Sequence, residues 1–161
     1  MSLTQIFFAF LIAVFAALIL VLIAIWVLKK IDQTWYPENK PTEPYAIPKK
    51  AYTIIAKENF GTLLWYLLYF IIVILALVHF LGRIVHGENL PYIAFLILVG
   101  IPFLIAFVHV VAKVLDQSDR LVASGFSEGQ ATAHRMKWLL IIPGLMVLVI
   151  DITLQIANSI R

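Results

Sequence analysis

Four stretches of this chain are almost uninterrupted hydrocarbon, and they limit its fold more than any motif does. They cover residues 3–28, 60–81, 90–112 and 138–156. An α-helix needs about 20 apolar residues to cross a bilayer. The sequence therefore predicts an all-α integral membrane protein, a single domain over residues 1–161 with four transmembrane helices in one bundle. Composition agrees: 63% of residues are hydrophobic and 13% charged, against roughly 45–50% and about 25% in soluble domains.

The first stretch, MSLTQIFFAFLIAVFAALILVLIAIWVLKK, lacks the basic start of a secretory signal. Its apolar run far exceeds the roughly 7–15 residues of a signal h-region, so it reads as a retained helix. Orientation follows from Lys and Arg, which concentrate in cytoplasmic loops. Lys29, Lys30, Lys40, Lys49, Lys50 and Lys57 lie between the first two spans. Lys113, Arg120, Arg135 and Lys137 lie between the last two. Only Arg83 and Arg161 belong to the other side. Both termini are therefore expected on the outer, periplasmic side of a bacterial inner (plasma) membrane. Trp26, Trp35, Trp65 and Trp138 would anchor the cytoplasmic boundary, where interfacial aromatics gather.

The two cytoplasmic connections differ. Residues 30–59 form a proline-rich loop. Pro37, Pro41, Pro44 and Pro48 rule out a continuous helix, so an extended segment on the membrane or on a partner is expected. AYTIIAKENF reads as a brief interfacial helix before the second span. Residues 113–137 read as a helical hairpin. Gly125 suits the residue after a helix end, and Ser127 with Gln130 makes a capping-box pattern. Gly100 with Pro102, and Pro143 with Gly144, mark expected bends.

No cysteine is present. That excludes disulfides, thiolate metal sites, iron–sulfur clusters, covalent c-type haem and CxxC redox chemistry. No Walker sequence, nucleophile elbow, HExxH or phosphate-binding glycine loop occurs, and no metal ligand set is recognisable. Asp119 with Arg120, and Glu128 with Arg135, are expected to pair on a solvated or partner-facing surface. Basic residues beside spans do not suggest nucleic acid.

The informative residues are the polar ones inside the spans. His79, Arg83 and His86 share a helix face, as do Asp151, Gln155 and Asn158. With 1.5 Å of rise per residue, His79 sits roughly 10 Å outward of mid-span and Asp151 about 5 Å. The two stripes together form the candidate polar cluster, and His79 is expected to find its partner in Asp151 or Gln155, or else in a cofactor or a residue of a neighbouring subunit. An intramembrane carboxylate is a functional-site candidate by default. His79 and His109 are also candidate haem ligands. They lie about 20 Å apart along the membrane normal, too far to clamp one iron with bonds of about 2 Å. A b-type haem would then draw a ligand from another chain. Ala9, Ala13 and Ala17 give the first helix a small-residue face that admits close packing, within the chain or onto a partner.

Two functions fit these features. One is a small non-catalytic subunit or anchor of a larger membrane complex. Its partners would be other membrane subunits and lipids. A respiratory or energy-transducing complex is expected, with a haem b or quinone site at a subunit interface. The alternative is an oligomeric proton or ion transporter using the Asp151 stripe. A membrane enzyme fits least, since His79 and Asp151 are its sole plausible couple.

Overall fold

The structure, a computed structural model, describes residues 2–35, 49–84 and 90–160, with side chains at 2–27, 30, 57–81 and 92–160. The described residues are all helical, apart from the turn joining the last two helices and a residue or two at the ends. Helix α1 spans Leu3–Trp35, α2 Lys49–Ile84, α3 Leu90–Phe95, α4 Ile101–Ala123 and α5 Glu128–Ser159. A π-helical turn, Leu96–Gly100, joins α3 to α4. Four segments are long and apolar enough to cross a membrane: Leu3–Val27, Lys57–Leu81, Tyr92–Ala123 and Glu128–Ser159.

Several expectations are refined. AYTIIAKENF is no separate interfacial helix but the start of α2, which runs unbroken from Lys49. The irregularity near Pro102 lies just before it, as the π-turn, because a proline removes one backbone donor and crowds the preceding turn. Helix α5 continues through Pro143. The four prolines at 37–48 lie outside the described residues, as do His86 and the side chain of Arg83.

Helix α5 is the hub. It packs against α1, α2 and α4. Its covered side runs Ala131, His134, Trp138, Ile142, Leu145, Val149, Thr153, Ala157, a step of three or four residues each time. Such a stripe is what one face of a 3.6-residue helix buries. Helix α1 offers Ala9, Ala13 and Ala17, from 0% to 5% exposed. The small-residue face is thus used inside the chain. Between apolar helices in lipid, close packing and hydrogen bonds must supply the attraction that water supplies elsewhere. Alanine permits that approach.

The turn between α4 and α5 is specified by local chemistry. Gly125 takes φ +93°, where a Cβ would crowd the backbone. Gly125 N–H donates to Val122 O and Phe126 N–H to Leu121 O, the paired bonds of a Schellman motif. Ser127 and Gln130 then cap each other's backbone N–H groups at 3.1 and 3.3 Å. Ser2 and Gln5 repeat that reciprocal cap at the start of α1. Gln5 Nε2 also donates to Ile160 O at 3.2 Å. Both chain ends therefore meet at one end of the molecule, called here the terminal end. The α4–α5 turn marks the opposite, loop end.

Candidate functional site

The polar residues within the spans fall into two groups. The first is the Asp151 stripe, which faces outward. Asp151, Gln155 and Asn158 are all exposed, on the side of α5 opposite its packed stripe. Gln155 Nε2 donates to Asp151 Oδ2 at 2.7 Å. The expected His79–Asp151 contact is absent among the described residues. Helices α2 and α5 do pack together, but Asp151 lies on the face of α5 turned away from the other helices. His79 is part-covered, and its Nδ1 is enclosed without a hydrogen-bond partner among the described residues.

The second group lies near the loop end and is satisfied internally. Asn59 of α2 and Gln117 of α4 are fully buried. They exchange hydrogen bonds: Asn59 Nδ2 donates to Gln117 Oε1 at 3.0 Å and Gln117 Nε2 to Asn59 Oδ1 at 2.7 Å. The same Gln117 Oε1 lies 3.3 Å from His134 Nε2 on α5. An amide oxygen can only accept, so His134 donates from Nε2. One glutamine thus joins three helices. Around it, Lys113 Nζ donates to Thr62 Oγ1 at 2.6 Å and to Glu58 O at 3.3 Å. Arg135 Nε donates to Ser118 Oγ at 2.6 Å.

The ion pairs differ from those expected. Arg120 meets Asp116 at 2.9 Å, one turn away on its own helix, and Glu58 of α2 at 3.4 Å. Arg135 meets Asp119 at 3.4 Å. Asp119 and Arg120 are adjacent in sequence, so a helix turns their side chains about 100° apart. Glu128 instead lines an open cleft of about 400 Å³ with Asp119 and Arg135. Trp138 is 8% exposed and packs inside rather than anchoring an interface. Its Nε1–H has no acceptor among the described residues.

His109 stands apart from both groups. It is exposed on α4, and its Nδ1 is hydrogen-bonded to Tyr66 Oη of α2. Such a bond orients the ring; a phenol both donates and accepts, so either tautomer of His109 can make it. His79 has no such support. No group of three or more His, Asp or Glu able to hold a metal ion occurs among the described residues.

Sequence reasoning overlooked Asn59, Gln117 and His134 as a unit, because each occurs alone on its own helix. Position along the spans does not align them either: relative to the expected spans, Asn59 lies one residue outside, His134 four and Gln117 five. Compared with protein-family models, curated proteins and solved structures, the chain matches none.

Proposed function

We propose that this protein is a small, non-catalytic integral-membrane subunit or anchor of a larger membrane complex. The observation that carries the proposal is the outward face of α5. Asp151 lies about 6 Å from the middle of the apolar stretch 138–156 by helical rise and is exposed. An aspartate near the centre of a transmembrane helix costs about 2.5–3.5 kcal/mol on insertion scales. A hydrogen bond to a charged group offsets about 1.5–3 kcal/mol, so the single bond from Gln155 offsets only part of that cost at the lower end of the range and leaves a deficit. Protein covering this face would remove it.

Transport through a single chain has less support. Between the Asp151 stripe and the loop-end network, α5 buries Ile142, Leu145, Met146 and Val149, which offer nothing for a proton to follow. An energy-transducing complex in a bacterial inner membrane remains the preferred setting, by analogy with other small four-helix subunits. A haem b or quinone at a subunit interface belongs to the same proposal. His109, exposed and braced by Tyr66, is better placed for it than His79.

The test is extraction of the tagged chain from its native membrane in mild detergent, with mass spectrometry and an optical spectrum of what is recovered. Other membrane proteins in fixed ratio support the subunit role, and b-type haem bands abolished by His109→Ala support the interface cofactor. Recovery of this chain alone refutes the subunit role and brings forward the oligomeric transporter.

A further inference from the structure

The outward face of α5 has a defined shape as well as a defined polarity. Gly144, Leu148, Asp151, Gln155 and Asn158 are all exposed. They succeed one another at spacings of four, three, four and three residues. That alternation averages 3.5 residues, the seam along which two helices wrap at about 20°. Gly144 has open space where a Cβ would stand, so a second helix can come close at that level. The seam is apolar toward mid-span and polar toward the terminal end.

We propose that a transmembrane helix of another protein packs along this seam and places a basic side chain, Lys, Arg or His, against Asp151. This presupposes the subunit role above and adds the chemistry of the partner. Charge selects the occupant. Every Lys and Arg with a described side chain lies toward the loop end: Lys30, Lys57, Lys113, Arg120, Arg135 and Lys137. Lys137, on the same helix, is fourteen residues from Asp151 and hence about 21 Å away along the axis. A second copy inserts at the same depth as the first, so it brings none of these cations to Asp151. A two-fold pair of α5 helices would instead set carboxylate against carboxylate, and like charges in one site repel. Among the described side chains, the remaining cationic candidate of a second copy on that side of mid-span, His79, is part-covered with its Nδ1 enclosed in its own chain. A basic residue from a different helix has no such obstacle. The amides of Gln155 and Asn158, toward the terminal end, fix its register by hydrogen bonds.

The chain has no native cysteine, so Leu148→Cys introduces a unique thiol on the seam. A benzophenone maleimide attached there, in the full chain in its native membrane, reports what lies against the face. The expected adduct joins a different membrane protein within a helix that carries a Lys, Arg or His. Its yield falls at least tenfold with Asp151→Asn, which keeps shape and hydrogen bonding but removes the charge, and survives Asp151→Glu. Because Asp151 is exposed, both variants should melt at the same temperature as the parent, which excludes misfolding as the cause. An adduct with a second copy of this chain overturns the proposal. A different protein whose adduct is indifferent to Asp151→Asn overturns the basic partner while leaving the subunit role intact. No adduct along the seam overturns both.

Discussion

Gln117 shows how much one residue can hold in a protein whose helices gain little from water. It makes three hydrogen bonds, one given and two accepted, to Asn59 and His134 on two other helices. Replacing one member of a buried pair leaves the other without a partner, at a cost of about 1–3 kcal/mol. Gln117→Leu therefore should destabilise more than Asn59→Leu, because it orphans two groups rather than one. The double variant should cost less than the two singles together, since directly bonded residues couple by about 0.5–3 kcal/mol. Thermal unfolding of the four proteins in one mild detergent reads both inequalities. Additive losses would mean that the amide pair does not hold the helices together. Trp138 makes the opposite case. Its enclosed Nε1–H has no acceptor among the described residues, so Trp138→Phe discards an unsatisfied donor along with some packing. The expected melting temperature is within a few degrees of the parent. A large drop would show that Nε1 has a partner, such as a buried water.

Glycines separate the helix elements most clearly. Gly125 sits at φ +93° with nothing within 4 Å of a hypothetical Cβ. Gly125→Ala meets no clash and pays only for the left-handed backbone, about 1–2 kcal/mol. Gly144 lies inside α5 with equally open space. Gly144→Ala gains up to about 1 kcal/mol of helix propensity. Isolated in detergent, the first variant should melt below the parent and the second at or above it. In the native membrane, Gly144→Ala should weaken the cross-link at the α5 seam, because it fills the space a partner helix uses. These contrasts also show what a sequence can reveal. The capping pattern Ser127–Gln130 and the turn at Gly125 were legible because their causes lie within a few residues. Ser2–Gln5, with the same spacing, was equally readable and was overlooked. Periodicity put Asp151, Gln155 and Asn158 on one face but could not say which way it pointed. That was decided by α1, α2 and α4 all packing on the opposite face, against Ala131 through Ala157. The Asn59–Gln117–His134 junction was illegible for a related reason: three separate helices must be set in register before it exists.

For the whole molecule, the central question is which way it sits in the membrane. The bond from Gln5 to Ile160 holds the two ends of the chain together, so an even number of crossings lies between them. The four apolar segments provide that number. The fold itself is indifferent to which end faces the cytoplasm. Charge is not: ten of the 12 Lys and Arg fall in sequence between the first and second spans or between the third and fourth, and short loops rich in such residues stay on the cytoplasmic side. The absence of cysteine again allows single thiols to be introduced. Ser124→Cys lies at the exposed α4–α5 turn, and Ser159→Cys at the exposed end of α5. A membrane-impermeant maleimide should modify Ser159→Cys in spheroplasts and should reach Ser124→Cys only after permeabilisation. The reverse pattern would keep the paired termini but invert the orientation, and with it the depth assigned to every basic residue. Labelling of both thiols from outside would mean that α5 does not cross the membrane. Asp151 would then not be a carboxylate in hydrocarbon, and the demand for a covering helix would disappear.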